Sequence, residues 1–186
     1  MKKAALCIGL GIVFASAPLF ASDVTLFGGL QRQGKLTLRS ASNAAAETFN
    51  PKNFGVMGLR IGPGKRMFGN ETTLAYSPNF IDSSARAIIL NTNFIVQTPA
   101  DAFKPYLTAG VGTIVTMAGD RCATCVSLSD IGVKFALNYG GGVKAKLQGP
   151  VGIRVDVRDY VIPSIQDQKL NVLEVTLGLV IRVGSK

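Results

Sequence analysis

The sequence predicts an all-β protein, an eight-stranded antiparallel up-and-down transmembrane β-barrel, and three observations carry this prediction. The chain of 186 residues is apolar and poor in charge, with 47% hydrophobic and 17% charged residues, against about 25% charged in an average soluble domain. No segment after the N-terminal one is long enough for a membrane-spanning helix, which needs about 20 apolar residues. Apolar residues recur instead at every second position, and a closed barrel turns such residues to one face.

The N-terminal segment has the layout of a secretory signal peptide. Lys2-Lys3 gives a positive start, Ala4–Ala17 is uncharged and mostly apolar, and Ala21 is a small residue at the expected cut. A membrane anchor is the alternative, but the stretch is shorter than a spanning helix. We therefore expect a signal peptide over residues 1–21 and one barrel domain over residues 22–186.

The first four predicted strands alternate only in part. The first covers about residues 24–31, and its facing is ambiguous. Polar or small residues separate the positions of one face in the next three strands, although Ile89 and Ile95 blur the fourth. In chain order these positions are Met57, Leu59 and Ile61; Thr72, Leu74 and Tyr76; and Ile88, Leu90, Phe94 and Val96.

The last four predicted strands alternate strictly, with Gly, Asn, Lys, Arg, Asp or Glu at most opposite positions and Val180 as an exception in the final strand. Such alternation is typical of a strand whose two faces have different surroundings. In chain order the apolar faces are Leu107, Ala109, Val111, Thr113 and Val115; Phe135, Leu137, Tyr139, Val143 and Ala145; Val151, Ile153, Val155 and Val157; and Leu173, Val175, Leu177, Leu179, Ile181 and Val183.

The connections alternate between long and short. Residues 34–53, 118–131 and 159–171 form three long connections, of which the first is polar, whereas the turns around Pro63 and Pro150 are tight. In bacterial outer-membrane barrels the outward loops are longer than the periplasmic turns. This pattern predicts that both ends of the barrel domain lie in the periplasm.

The less apolar face of the strands carries most of the charge. Side chains of the lumen nearly fill an eight-stranded barrel, and buried charges cost several kcal/mol each unless they are paired. We therefore expect an ion-pair network that fills the lumen, while a narrow path for ions or solutes is the alternative. The candidate members of the ion-pair network are Arg60, Glu71, Arg154, Asp156, Arg158, Glu174 and Arg182.

Three segments resemble the small eight-stranded outer-membrane β-barrel family, which includes OmpX, OmpW and the transmembrane domain of OmpA. Pro105–Gly112 is similar to its PY-x-x-x-G-x-G strand entry, Asn138–Lys144 to its next strand, and Val151–Tyr160 to the G-x-R-x-D-x-R-x-Y strand that follows. The resemblance implies a monomer in the outer membrane, inserted there among its lipids, with a structural or interaction role in the cell envelope. For some relatives a small porin-like channel is argued instead.

The end of the chain is similar to the C-terminal signal by which such barrels are recognised. Thr176, Gly178, Ile181 and Val183 supply a polar residue, a glycine two positions later and alternating hydrophobic residues. The resemblance implies a contact with the barrel-insertion machinery. A plain edge strand of a soluble sandwich is the alternative.

Cys122 and Cys125 form a C-x-x-C in the long connection over residues 118–131. An exported chain meets an oxidising compartment, so a disulfide that closes this loop is the first interpretation. A thioredoxin-like pair would need a βαβ context, and a metal site would need two more ligands. The sequence predicts no metal and no cofactor.

The absence of histidine narrows the possible functions. It excludes His-based acid–base catalysis and His-ligated metals, and the lipid-modifying barrels of similar size use a histidine, so we expect no enzyme. The basic residues are scattered, which argues against nucleic acid. The remaining alternative is a soluble, lipocalin-like periplasmic barrel with its apolar face inside. Anionic lipopolysaccharide is a candidate partner for Arg32, Lys35, Arg39, Lys52 and Arg121.

Overall fold

The computed structural model describes residues 23–39, 46–64, 66–80, 85–100, 102–118, 132–165 and 168–183. They form ten β-strands, and every described strand pair is antiparallel. Their bounds are β1 Asp23–Gln33, β2 Leu36–Arg39, β3 Ala46–Phe49, β4 Asn53–Gly62, β5 Phe68–Ser77, β6 Ala85–Gln97, β7 Phe103–Ala118, β8 Val133–Lys146, β9 Val151–Ile165 and β10 Gln168–Arg182.

Eight of the strands close into a barrel in the order β1-β10-β9-β8-β7-β6-β5-β4. Closure depends on β1, which pairs with both β10 and β4, so that Leu26 lies opposite Leu179 on one side and Leu59 on the other. The predicted fold class is therefore confirmed. The connections after β4, β6 and β8 lie at one end with the start of β1 and the end of β10, and we call this the short-turn end. The opposite end, with the connections after β1, β5, β7 and β9, is the long-connection end. The long connection predicted over residues 159–171 is wrong, because β9 extends to Ile165 and β10 begins at Gln168.

The apolar face of the strands points outward. Along β10, Leu173, Val175 and Leu177 are exposed, whereas Glu174 and Thr176 between them are buried. The lipocalin-like alternative required the opposite arrangement and is wrong. Among the described residues, no helix is long and apolar enough to cross a membrane.

The connection between β1 and β4 is more ordered than the sequence indicated. Residues 34–53 were expected to form a polar loop, but β2 and β3 pair there as a separate two-stranded sheet. The hydroxyl oxygens of Thr37 and Thr48 lie 3.2 Å apart across this hairpin. Four-residue strands are too short to show a clear period of two, which is why the pattern missed them.

The lumen also contains an apolar layer at the long-connection end. The sequence assigned the polar residues to the interior, but several strands turn apolar side chains inward near this end. These residues belong to one buried hydrophobic cluster, whose larger members are Phe27, Leu36, Phe54, Val56, Phe80, Ile89, Ile114, Tyr160, Ile162, Leu170 and Val172. The interior is therefore apolar towards the long-connection end and charged towards its middle.

Candidate functional site

Six of the seven charged residues predicted for the lumen meet in one group, which we call the charged cluster. Each has at most 1% of its surface exposed. They are contributed by β4, β5, β9 and β10, whose alternation turns them all inward. The members are Arg60, Glu71, Arg154, Asp156, Arg158 and Glu174.

Arg60 joins one side of the charged cluster. Its Nη1 atom lies 2.7 Å from Asp156 Oδ2, and its Nη2 atom lies 2.6 Å from Glu174 Oε1. The Nη1 atom also donates to the hydroxyl of Thr176 at 3.1 Å. One guanidinium thereby connects β4 with β9 and β10.

Glu71 accepts hydrogen bonds from two arginines across the lumen. Arg158 Nη2 lies 2.6 Å from Glu71 Oε1, and Arg154 forms an ion pair with the same carboxylate. Glu71 is on β5 and both arginines are on β9, which are four positions apart in the ring of eight strands and therefore on opposite walls. These ion pairs span the barrel interior.

The charges within the cluster balance. Three guanidinium groups face three carboxylates, and Asp156 contacts all three arginines, with Arg154 Nε at 2.8 Å and Arg158 Nη2 at 3.0 Å. Taking such charges out of water is costly unless the geometry is good and further hydrogen bonds complete the set. The cluster meets that condition through the charge-assisted bonds that arginine forks form with carboxylates.

Two aromatic rings support the arginines, and the sequence pattern predicted a role for neither of them. The central carbon of Arg60 lies 3.8 Å from the ring centroid of Phe27, and that of Arg154 lies 4.6 Å from the centroid of Tyr106. The Tyr106 hydroxyl donates to Asp156 and accepts from Arg154 Nε at 2.8 Å. Tyr106 stood in the PY motif and could have been assigned from its place among the inward positions of β7.

Neutral amides continue the hydrogen bonding beside the charged cluster. Asn93 and Asn138 exchange two hydrogen bonds, of 2.6 and 3.1 Å, between β6 and β8. Gln31 Nε2 donates to Glu174 Oε2 at 2.7 Å, and Asn91 donates to the Tyr160 hydroxyl at 3.2 Å. All eight barrel strands thus contribute side chains to the polar interior.

The turn after β4 folds against the short-turn end of the lumen, where Pro63 and Gly64 are buried. Gln97 Nε2 donates to Gly64 O at 3.1 Å and to Arg66 O at 2.7 Å. Lys104 Nζ donates to Gly64 O at 3.1 Å. We call Pro63, Gly64 and Arg66, together with these donors, the turn clamp.

Lys144 completes the turn clamp. Its Nζ atom lies 3.1 Å from the Pro63 carbonyl and 3.1 Å from the Asp23 carboxylate. Asp23 begins β1, so this lysine ties the start of the barrel to the turn after β4. The lumen is therefore covered at the short-turn end.

Phe80 covers the opposite end of the lumen. It is fully buried, and its ring packs edge-on against Phe54 with the centroids 5.4 Å apart. Leu36, in the connection after β1, is also fully buried in the same cluster. Apolar side chains thus lie between the charged cluster and the long-connection end.

The structure does not bring Arg182 to the charged cluster. It is half-buried at the last position of β10, and within the described residues no ion pair joins it to the cluster. Its position at the end of β10 places Arg182 between the charged cluster and the short-turn end. Of the predicted insertion signal, Thr176 and Gly178 face inward, while Ile181 and Val183 are exposed outside.

Other predicted residues lie at the long-connection end or outside the described part of the chain. Arg32, Lys35 and Lys52 are exposed at the long-connection end. The side chain of Arg39, residues 119–131 with Arg121 and the C-x-x-C pair Cys122 and Cys125, and the predicted signal peptide lie outside the described residues.

Comparison with solved structures decides the fold. The crystal structure of Neisserial surface protein A (NspA) matches with a TM-score of 0.64 at 12% identity, over 87% of this chain and 96% of that one. The chain has the fold of the small outer-membrane β-barrels. The outer-membrane enzyme PagL matches with a TM-score of 0.50 at 14% identity, over 87% of this chain and 100% of that one. The N-terminal barrel domain of Pseudomonas aeruginosa OprF matches at 13% identity and a TM-score of 0.49, over 87% of this chain and 98% of that one.

Sequence comparisons add no closer assignment. No protein-family model matches the chain, and no curated protein matches its sequence. PagL is an enzyme and NspA is described as a surface protein, so this barrel fold hosts more than one kind of function.

Proposed function

We propose that this protein is a monomeric outer-membrane β-barrel with a structural or interaction role in the cell envelope, and that its lumen is plugged by the charged cluster. Its outward apolar band supports the membrane location, because a water-soluble monomer rarely exposes a large contiguous apolar surface. Exposed side chains such as Leu26, Phe94, Leu107 and Leu177 belong to this band. The barrel-insertion machinery would deliver the chain there through the predicted C-terminal signal.

The observation that carries the plugged lumen is the pair of bonds from Arg154 and Arg158 to Glu71. These bonds join opposite walls, and they lie between Phe80 at one end and the turn clamp at the other. A porin-like path would have to separate these paired, buried charges, and a buried ion that loses its partner costs several kcal/mol. The channel alternative therefore receives less support than the plug.

Planar-bilayer recording of the refolded mature chain tests the plug. We expect no stable unitary conductance for the wild type and a measurable leak for Glu71→Ala. Thr73→Ala is the matched control, because Thr73 is also fully buried on β5 but lies outside the cluster. A stable unitary conductance of the wild type would refute the plug and establish the channel.

Heat-modifiability tests the location and the closed barrel together. The outer-membrane fraction of cells that produce the protein is compared on SDS gels with and without boiling. We expect a membrane-bound band that shifts its mobility only on boiling. A soluble periplasmic protein with no shift would contradict the proposed location.

The long-connection end is our candidate contact for lipopolysaccharide. Arg32 is exposed on the outward face of β1, directly after the exposed Leu26 and Leu30, so its charge lies at the edge of the apolar band. Anionic lipid headgroups attract basic residues that lie at the edge of the apolar band. Replacement of Arg32, Lys35, Arg39, Lys52 and Arg121 with glutamine should weaken lipopolysaccharide binding, and unchanged binding would refute the contact.

We further propose that the protein is not an enzyme, because the chain has no histidine and the charged cluster is shielded from any substrate. PagL shows that the fold alone does not decide this point. Mass spectrometry of lipid A from a deletion strain is the test. A change in lipid A structure that the intact gene restores would contradict the proposal.

A further inference from the structure

A small polar group lies on the outward surface of the barrel, across β8, β9 and β10. Tyr139, Asp159 and Asn171 all occupy outward positions, and Tyr139 is 55% exposed. The Tyr139 hydroxyl donates to Asp159 Oδ2 at 3.0 Å, and Asn171 Nδ2 donates to the same oxygen at 3.4 Å. We call these three residues the outer polar cluster.

The outer polar cluster interrupts a surface that is otherwise apolar. Among the described residues, Asp159 is the one carboxylate at an outward position of a barrel strand. Exposed Val157 precedes it by two positions on β9, and exposed Leu173 is its direct partner on β10. An ionisable residue on a lipid-facing surface is rare and indicates a functional site. The outer polar cluster is therefore a candidate contact for a polar ligand rather than for acyl chains.

The edge of the apolar band is stepped beside the outer polar cluster. On β10 the outward residue that follows Leu173 towards the long-connection end is the exposed Asn171. On β8 the outward residues beyond Tyr139 in the same direction are Leu137 and Phe135, which are apolar and exposed. The outer polar cluster thus lies in an indentation of the apolar band, with the apolar side chains of β8 on one side.

The outer polar cluster has the donors, acceptors and ring surface that match a sugar. A carboxylate has about four acceptor positions, and a carboxamide has two donor hydrogens and a carbonyl oxygen. The two hydrogen bonds within the cluster use only part of this capacity, so that sugar hydroxyls, which both donate and accept, can bind as well. The ring of Tyr139 is apolar beside its polar hydroxyl, which suits the C–H face of a sugar ring. A phosphate beside Asp159 would instead be repelled as a like charge.

We infer that the outer polar cluster binds the sugar headgroup of a glycolipid in the surrounding leaflet. Asp159 and Asn171 bind its hydroxyls, and the Tyr139 ring packs against its face. The contact depends on hydrogen bonds and ring packing rather than on an unbalanced charge.

This inference rests on the proposed membrane location and adds a sugar-binding part to the proposed lipopolysaccharide contact. Asp159, Leu173 and Arg32 are successive partners across β9, β10 and β1. Neighbouring strands lie about 4.8 Å apart, so the outer polar cluster is about 10 Å from the backbone of Arg32, a member of that contact. One glycolipid headgroup can therefore reach both.

Lipid competition tests the inference on the mature chain refolded in nanodiscs of phosphatidylcholine, phosphatidylethanolamine and monoglucosyl diacylglycerol, a neutral glycolipid. Native mass spectrometry of the protein released from the nanodiscs measures which lipids stay bound. We expect the wild type to enrich the glycolipid. Asp159→Leu and Tyr139→Leu should each lower this enrichment about fivefold, the change that roughly 1 kcal/mol of lost hydrogen bonding produces.

Tyr76→Leu is the matched control, because Tyr76 is an outward, half-buried tyrosine on β5, four positions from β9 in the ring of eight strands. It should leave the enrichment unchanged. No enrichment in the wild type, or an equal loss in Tyr76→Leu, would overturn the inference. Enrichment of phosphatidylethanolamine instead of the glycolipid would also overturn it, in favour of an ammonium ligand.

Failure of the proposed function would look different. The neutral glycolipid has no phosphate, so its enrichment does not depend on the basic residues of the lipopolysaccharide contact. A wild-type sample that shows no heat-modifiable band would refute the proposed membrane barrel itself.

Discussion

The guanidinium of Arg60 lies over the ring of Phe27, with its central carbon 3.8 Å from the ring centroid. Phe27 itself lies between Gly58 on β4 and Gly178 on β10, which are its direct partners across the two strand pairs. A glycine on each side gives the ring room to turn into the lumen. Desolvated cation–π contacts of this kind contribute about 2 kcal/mol, so the small neighbours help to hold the charged cluster in place.

Gly58→Ala should destabilise the barrel, whereas Gly55→Ala should not. A Cβ at Gly58 would lie 2.7 Å from Ala75 Cα and 2.9 Å from Phe27 Cζ, but a Cβ at Gly55 would meet nothing within 4 Å. We expect Gly58→Ala to lower the free energy of unfolding by about 1–3 kcal/mol, the usual cost of overpacking. Urea unfolding in detergent micelles, followed by the heat-modifiable band, measures both variants. Equal midpoints would show that Phe27 does not need this space.

Glu71 and Arg158 should behave as an energetically coupled pair. Glu71→Gln removes one of the two carboxylates that Arg154 and Arg158 share, and we expect a loss of about 3–5 kcal/mol, as for other broken buried ion pairs. The double variant E71Q/R158Q should lose less than the sum of the two single variants, because neighbouring members of one network are not additive. The exposed Lys52→Gln serves as the control and should stay within about 0.5 kcal/mol of the wild type. Strict additivity would contradict the direct interaction.

Part of the charged cluster could be predicted because alternation reports which residues share a face. On β9 and β10 the strict pattern places Arg154, Asp156, Arg158 and Glu174 together, and the structure has them on one face. Which charge contacts which partner depends on barrel closure, since Arg154 reaches Glu71 across the lumen from a strand that is not its neighbour. A pattern along one chain segment contains no information on such distances.

The apolar cover of the lumen could not be predicted by the same argument. Ile162, Leu170 and Val172 occupy inward positions, yet they look like outward residues to a pattern that separates apolar from polar. Phe27 was missed for a related reason, since β1 has apolar or small residues on both faces. Alternation identifies the inward face of a strand only where the lumen and the outer surface differ in polarity. Near the long-connection end both of these environments are apolar.

Cys122 and Cys125 should be joined in the exported protein. Cleavage after Ala21 would remove Cys7, so the mature chain would keep these two cysteines. We expect no alkylation of the unreduced, denatured protein by a thiol reagent and two adducts after reduction, as intact mass spectrometry would show. A mature protein that takes up two adducts without reduction would establish free thiols and leave the pair available for another chemistry.

Gln97 should protect the turn after β4 from proteolysis. Its side-chain amide donates to the carbonyls of Pro63, Gly64 and Arg66, at 3.4, 3.1 and 2.7 Å. Gln97→Ala removes these bonds at a net cost of about 1 kcal/mol each, and leaves the Pro63 and Gly64 carbonyls to Lys144 and Lys104. We expect trypsin to cleave after Arg66 at least about tenfold faster in the folded variant, since local opening of about 1.4 kcal/mol changes the open population tenfold when opening is fast.

The matched control for this cleavage is Gln148→Ala, because Gln148 is an exposed glutamine in another turn at the same end. Its removal should leave the rate of cleavage after Arg66 unchanged. Fragment masses identify the cut, and the unboiled gel band shows that the barrel stays closed during digestion. If Gln97→Ala and Gln148→Ala were cut at the same rate, the amide of Gln97 would not be what holds Pro63, Gly64 and Arg66 against the lumen, and the contacts of Lys104 and Lys144 would have to be what holds this turn.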